Sequence, residues 1–259
     1  MTLKEKYGEW ALITGASSGI GEGFARRLAA EKINLILVAR RIDRLNNIAS
    51  ELTSKFKIQA IPAPIDLSKA DFMEDLKIYL EGRAISILIN NAGFGYNGEF
   101  VKAEIKNQRD MVMVNCLAPV LLTHYILQDM VQRKKGAIIF LGSLVGYQPT
   151  PFTTLYSATK AFNLFMGEGL WYELKKNNID LLSLNPGGTN TEFQKVANTS
   201  AGPVPRSVDQ VVETALNNLG GRISVVDGFI NKVVSFVPRF LTRRLTVRIA
   251  GRIRTKYYT

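Results

Sequence analysis

Short runs that are apolar at nearly every position, at residues 10–13, 35–38, 58–61, 85–89, 137–141, 179–184 and 223–226, alternate with longer segments whose apolar residues recur at helical spacing. A strand buried on both faces needs apolar side chains on both, so these runs predict a parallel sheet with helices on each side. The expected fold class is α/β, a single doubly wound parallel sheet of about seven strands. No internal repeat, low-complexity linker or composition break before residue 222 divides the chain. Residues 1–226 therefore read as one domain and residues 227–259 as a helical extension of it. One helical segment, residues 106–133, holds Asn115 and, four residues later, Pro119. Proline has no N–H for the carbonyl four residues back, which predicts a kink and a free main-chain oxygen on Asn115, open to a water or a ligand.

The first strand runs into Thr14-Gly15-Ala16-Ser17-Ser18-Gly19-Ile20-Gly21, which opens a helical pattern. Glycines 15, 19 and 21 lack the Cβ that would block a phosphate, so backbone N–H groups and the positive end of the next helix can hold a pyrophosphate. Gly15 to Gly19 also fits G-x-S-x-G, a hydrolase nucleophile elbow. That reading needs a base for Ser17, and the one histidine, His124, lies in a helical segment with no acid-then-histidine pair after the serine. After the second strand Ala39 is followed by Arg40 and Arg41, where a carboxylate would bind the ribose hydroxyls of NAD. Two guanidiniums there select the 2′-phosphate of NADP; the alternative is that they are solvated loop charges. The third strand ends at Ile65-Asp66-Leu67, and Asp66 either accepts the adenine amino group or, like Ser68, caps a helix beginning near Lys69. Asn90-Asn91-Ala92-Gly93-Phe94-Gly95 follows the fourth strand, its small residues letting backbone approach a cofactor.

Ser143 closes the fifth run, at the carboxyl edge where ligands of open α/β sheets bind. In Tyr156-Ser157-Ala158-Thr159-Lys160 the i, i+4 spacing stacks a phenol and an ammonium on one helix face, and a neighbouring ammonium favours the phenolate. Such a phenol can give a proton to a carbonyl oxygen or take one from an alcohol, while the Ser143 hydroxyl hydrogen-bonds the same oxygen. With Pro186-Gly187-Gly188-Thr189-Asn190-Thr191 after the sixth strand, these motifs stand in the order and spacing of a known family: the chain resembles a short-chain dehydrogenase/reductase over residues 10 to about 192. The resemblance implies a Rossmann-type fold, a nicotinamide cofactor and a tetrad of Asn115, Ser143, Tyr156 and Lys160. It also implies that Lys160 holds the nicotinamide ribose and that the Asn115 carbonyl positions a water linking Lys160 to solvent. The nicotinamide carboxamide falls to Pro186, Gly187, Thr189 and Thr191 on the same grounds, unless that segment is a plain turn with Thr189 or Asn190 as a helix cap. The full expected cofactor set is Gly15, Ser17, Ser18, Gly19, Ile20, Gly21, Arg40, Arg41, Asp66, Leu67, Asn91, Ala92, Gly93, Tyr156, Lys160, Pro186, Gly187, Thr189 and Thr191.

Composition bounds this reading. The single cysteine, Cys116, excludes an internal disulfide and reads as a small buried residue; with one histidine as well, no metal site is expected. The N-terminus lacks the apolar core of a signal peptide and no later segment offers the long uncharged run of a membrane span, so a cytoplasmic protein is expected. The formal net charge of +11 is concentrated late: from residue 222 onward nine Lys and Arg face Asp227 alone. From Pro238 a helical pattern sets Leu241, Leu245, Ile249 and Ile253 in one stripe beside Arg244, Arg248 and Arg252. Residues 238–259 then either touch an anionic membrane surface or pack that stripe on the domain. Nucleic acid is not an expected partner, since the only aromatics after Phe240 are Tyr257 and Tyr258. Residues 192–205 read as a mobile loop or lid, and Phe94, Tyr96, Leu144, Tyr147, Phe152 and Phe193 as walls of an apolar pocket.

The expected activity is NADPH-dependent reduction of an apolar ketone, aldehyde, ketoacyl or steroid-like compound, or oxidation of the matching alcohol. The resemblance implies a homodimer or homotetramer built on helices 106–133 and 154–176. Rival readings are a non-catalytic NADP-binding sensor and a membrane-surface protein acting through the basic tail.

Overall fold

The computed structural model of the chain describes residues 1–197 and 205–255. Seven strands, β1 Trp10–Thr14, β2 Asn34–Ala39, β3 Ala60–Pro64, β4 Ile85–Asn90, β5 Gly136–Leu141, β6 Ile179–Asn185 and β7 Ser224–Val226, form one sheet in the order β3-β2-β1-β4-β5-β6-β7. Every pairing is parallel. The strand order reverses direction between β1 and β4, so the crevice at their carboxyl ends is the ligand position of this architecture. One expected strand is displaced: residues 58–61 gave way to Ala60–Pro64, because Ile58 is a buried residue of the approach and Pro62 and Pro64 are tolerated on an edge strand.

Alternate strand residues feed two helical layers. Ile13, Leu35, Ile89 and Ile139 pack on one face against α2 (Gly19–Ala30), α3 (Ile42–Phe56) and α9 (Val208–Asn218). Leu12, Ile36, Leu88 and Phe140 pack on the other against α4 (Phe72–Leu80), α6 (Ala118–Arg133) and α7 (Thr154–Leu174). The remaining helices are α1 (Leu3–Tyr7), α5 (Ile105–Val112), α8 (Phe193–Val196), α10 (Phe229–Phe236) and α11 (Arg243–Thr255).

Between α5 and α6 the expected kink takes the form of a π-helical turn, Met113–Leu117, in which the Ala118 N–H reaches back five residues to Met113. Pro119 cannot bond Asn115, so the turn widens at that point. The carbonyl of Asn115 is not left free, however: the side-chain amide of Asn163 on α7 donates to it at 3.0 Å. Measured through this turn, Ile105–Arg133 is long and apolar enough to cross a membrane by length and composition, which corrects the expectation that no segment would be. Here Leu122, Ile126 and Met130 of that helix are buried in the core beneath the sheet.

The C-terminal extension consists of α10, a 3-10 turn at Val237–Phe240 and α11. Of the two packing senses open for the tail, the stripe-inward one is not adopted. Leu245, Ile249 and Ile253 are exposed, Leu241 ahead of the helix is half-buried, and the face of α11 that is covered carries Thr246 and Ala250. Where the extension leaves β7, fully buried Asp227 is bonded by the guanidinium of Arg206 at 2.9 and 3.3 Å and by the Thr214 hydroxyl at 2.7 Å.

Arg206→Ala leaves that carboxylate without its countercharge and is expected to cost about 3 kcal/mol of stability. Asp227→Asn should cost less, because the Arg206 side chain is 31% exposed and water can take it over. Urea denaturation of both variants checks the order.

Candidate active site

The glycine turn is locked from below. The Thr14 hydroxyl accepts from the N–H groups of Asn91 and Ala92 at 3.0 and 2.9 Å, and the Asn91 amide donates to the carbonyl of Thr14 at 2.7 Å. Asn91 thus serves the site by holding the turn rather than by offering its side chain. Gly15 and Gly19 adopt φ of +67° and +58°, in the left-handed region. At Gly21 a Cβ would fall on the carbonyl oxygen of Gly15. Ser18 occupies the N-cap of α2 without capping it; its hydroxyl accepts instead from Arg41 at 2.8 Å, leaving the first N–H groups of the helix for an anion. These glycines and the uncapped helix end fit a pyrophosphate.

Beside the turn, Arg41 also donates to the Ser17 hydroxyl at 3.0 and 3.2 Å and to the carboxylate of Glu192 at 2.8 Å. Arg44, which the sequence reading passed over, meets the other oxygen of Glu192 at 2.7 Å. The two guanidiniums hold the Glu192 carboxyl down at a pKa of about 2. Ser17, Ser18, Arg41 and Arg44 therefore form an anion site in which a carboxylate of this chain now sits. Ser17 faces Arg41 and His124 is exposed on α6, so the nucleophile-elbow reading has no base. Arg40 is exposed; Asp66, against its desolvation, is held below the usual carboxylate range mainly by hydrogen bonds from Ser68, with the charges of Arg40 and Lys69 adding to them. Asp66 accepts from the N–H and hydroxyl of Ser68 at 3.0 and 2.8 Å in a turn, and the next helix starts only at Phe72, so neither residue caps a helix at Lys69. Leu67 is buried in the core on the α4, α6 and α7 face, which leaves its backbone to face a cofactor, while half-buried Ile20 packs on the core of the opposite face.

On the β5 side the expected groups converge. Ser143 caps the 3-10 turn Leu144–Tyr147, and its hydroxyl comes close enough to Tyr156 to favour the phenolate. Lys160 is 3% exposed, with its ammonium on the carbonyl of Leu141 at 2.8 Å and 5.7 Å from the centre of the Tyr156 ring. Burial pushes the phenol up to about 12 and the ammonium down to about 8. The expected lowering of the tyrosine by Lys160 is thus absent: desolvation raises the phenol, and the ammonium is aimed at Leu141. Gly93 faces both centres, since a Cβ there would lie 3.1 Å from Asn115 Oδ1 and 3.3 Å from Lys160 Nζ. The Asn115 side chain is fully engaged, accepting from the Phe94 N–H and donating to the Phe94 carbonyl and the Thr159 hydroxyl. Thr159 and Asn163 were missed by the sequence reading, although Asn163 follows Lys160 by three residues on the same helix face.

Thr191 lies against Gly19, and its hydroxyl bonds the Gln194 side chain at 3.2 Å and accepts from the Phe193 N–H at 3.3 Å; Thr189 bonds the Gly187 carbonyl at 3.3 Å, and the N-cap position of α8 is Glu192 rather than Thr189 or Asn190. Pro186 is buried, and its carbonyl accepts from the Leu144 N–H at 2.9 Å, tying this segment to the Ser143 turn. Of the expected pocket walls, Phe193 stacks on Tyr156 at 5.4 Å, and Tyr96 and Phe152 line a small cavity beside it with the unforeseen Phe100, Gln108 and Met111. Tyr147 is half-buried, and that burial raises its phenol. The expected lid is described only at its ends, and residues 198–204 lie outside the described residues. Cys116 is half-buried rather than buried, and its thiol is raised to about 11, so it stays protonated.

Comparison with known proteins agrees with this geometry. The profile of the family described as short chain dehydrogenase matches residues 9–202. A very-long-chain 3-oxoacyl-CoA reductase of Bos taurus is 29% identical over 259 residues, covering 96% of this chain and 82% of its own. A solved structure from work on 7beta-hydroxysteroid dehydrogenase stereoselectivity superposes with a TM-score of 0.89 at 27% identity, covering 96% of this chain and 99% of that one. A short-chain dehydrogenase from Sphingobium yanoikuyae, solved in complex with NADPH, gives a TM-score of 0.79 at 35% identity over 85% and 87% of the two chains.

Gly21→Ala is expected to distort the turn at a cost on the order of 1–3 kcal/mol and to abolish dinucleotide binding. Thermal unfolding and a fluorescence titration with NADPH read the two effects separately.

Proposed function

The chain belongs to the short-chain dehydrogenase family, and from that premise we propose that it reduces an apolar ketone, most simply a 3-oxoacyl thioester, with NADPH. As a member of the family it is an oxidoreductase acting on CH–OH and C=O groups with a nicotinamide cofactor. The observation that carries the catalytic reading is the approach of the Ser143 hydroxyl to the Tyr156 phenol with the buried ammonium of Lys160 behind the ring, 5.7 Å from its centre. A phenol held near pKa 12 keeps its proton at neutral pH, which suits it to be the acid in reduction. Ser143 would hold the carbonyl oxygen as charge develops on it, and Tyr156 would deliver the proton there. Reduced nicotinamide, when bound, supplies the hydride. Lys160 would hold its ribose, and the segment 186–191 its carboxamide. Asn115 positions: its side chain ties Phe94 to Thr159, and its carbonyl, already bonded by Asn163, keeps one lone pair for a water toward Lys160.

Preference for NADPH is supported by the anion site of Ser17, Ser18, Arg41 and Arg44, whose present occupant, Glu192, stands where a 2′-phosphate would compete. The relative named for 3-oxoacyl-CoA reduction and the aromatic residues around Tyr156 support the substrate class. Exposed Tyr125 on α6 and Phe162, Phe165 and Tyr172 on α7 support assembly of identical chains through these two helices.

Three results are expected. Tyr156→Phe should bind NADPH nearly as the parent does and lose about a hundredfold or more in turnover of a 3-oxoacyl substrate, followed by loss of dihydronicotinamide absorbance. A Phe variant with full turnover rejects the assignment. Because burial lowers Lys160 to about 8, its charge is present below that pH and lost above it, so kcat/KM for reduction should fall as pH rises through about 8 while Tyr156 stays protonated. A profile flat through that range excludes the ammonium. Glu192→Gln removes the competing charge, and the Kd for NADPH should drop by about threefold, the worth of an exposed ion pair, with that for NADH unchanged.

A further inference from the structure

We infer that the face made by α10, the 3-10 turn Val237–Phe240 and α11 docks on an anionic lipid bilayer. In α10 the apolar side chains are on the outside: Phe229 is 80% exposed, Ile230 59% and, beyond the helix, Phe240 75%. With Val233 and Val237 they recur at intervals of one, four, eight and eleven residues from Phe229, a single helical stripe. The inner side of α10 carries Asn231, which donates to the Asp227 carbonyl at 2.7 Å, and buried Ser235. The same inversion holds in α11, where Thr246 and Ala250 are covered while Leu245, Ile249 and Ile253 are not. Two consecutive helices thus turn their polar or small faces to the domain and their apolar faces to the outside, the reverse of what burial on a soluble domain requires.

Charge identifies the occupant. Residues 228–255 hold seven Lys and Arg and no Asp or Glu. Arg243, Arg244, Arg248 and Arg252 are exposed and form no salt bridge among the described residues, whereas Arg26, Arg27 and Arg133 elsewhere on the surface are each paired. Arg239 lies over the Phe236 ring at 5.5 Å, joining cation to stripe. A second copy of this chain would bring two like-charged faces together across a twofold axis. Nucleic acid would neutralise the arginines and leave Phe229, Ile230 and Phe240 in water. A bilayer with anionic headgroups satisfies both, phosphates for the guanidiniums and hydrocarbon for the stripe. The surface also borders the catalytic site: α10 packs on the turn Leu144–Tyr147 after Ser143, and Gly251 of α11 faces Pro151, ahead of α7 and Tyr156. Docking in this way turns the mouth of the site toward the lipid.

The test is sedimentation of the full chain with sucrose-loaded vesicles of phosphatidylcholine, with and without phosphatidylserine. The parent should pellet with the anionic vesicles and be released by high salt. Arg243→Glu, Arg244→Glu and Arg248→Glu combined should lower partitioning by about a hundredfold or more, each basic residue at an anionic surface being worth roughly a factor of five. Phe229→Ser with Phe240→Ser should lower it by about tenfold or more, both side chains being exposed and so dispensable for folding; an unchanged circular dichroism spectrum and thermal midpoint verify this. A parent that ignores anionic vesicles overturns the proposal, as do variants that pellet like the parent. So does a dimer, measured by light scattering, that forms without vesicles and is broken by the phenylalanine changes, or retention on duplex DNA in place of lipid.

Discussion

A lysine ammonium taken out of water sets the geometry of the reaction centre. Lys160 is almost fully buried, and its ammonium donates a hydrogen bond of 2.8 Å to the Leu141 carbonyl at the end of β5. A cation in that position is tolerated only with an oxygen partner close by, so α7 is pinned to the carboxyl edge of the sheet at the level of Leu141. Gly146 completes the clamp. A Cβ there would lie 2.8 Å from the backbone carbon of Lys160, so the turn after Ser143 can rest directly on α7. Ser143 and Tyr156 stand beside each other because these two contacts bring their segments together. The same desolvation lowers the lysine and raises the phenol, so the acid of the proposed reduction and its cationic neighbour are tuned by one cause.

A second electrostatic arrangement occupies the opposite side of the crevice. Arg41 and Arg44 reach across from the start of α3 to Glu192, at the foot of α8. The adjacent residue, Phe193, stacks on Tyr156. Glu192 and Phe193 therefore link the anion site beside the glycine turn to the wall of the reaction centre through one peptide bond. An anion that takes the guanidiniums from Glu192 acts on the segment that carries Phe193.

The C-terminal extension obeys a different rule from the rest of the chain. Through β7 the helices that cover the sheet turn apolar residues to it and form the two cores, although α6 and α7 also carry exposed aromatics. After the Arg206–Asp227 pair the pattern inverts, and the apolar stripes of α10 and α11 stand outside beside Arg243, Arg244, Arg248 and Arg252, which form no salt bridge among the described residues. A stripe at helical spacing shows that a helix is amphipathic, and only its neighbours decide whether its partner is the domain or something beyond it.

Much of the fold was legible in the chain alone because it depends on local properties. Continuous apolar runs mark strands buried on both faces, and all seven formed in one parallel sheet. Glycines at 15, 19 and 21 leave room for backbone and phosphate, and proline at 119 denies a bond to residue 115, in any chain that contains them. The tertiary structure decided which distant groups answer those local demands. Asn163 bonds the carbonyl of Asn115 from 48 residues away, and Glu192 reaches Arg41 across 151. It also decided that Leu245, Ile249 and Ile253 face outward and that burial, rather than the nearby ammonium, governs Tyr156. Periodicity and backbone freedom act within a turn or two of helix, whereas the partner of a buried polar atom and the cover of an apolar stripe depend on what the folded chain brings beside them.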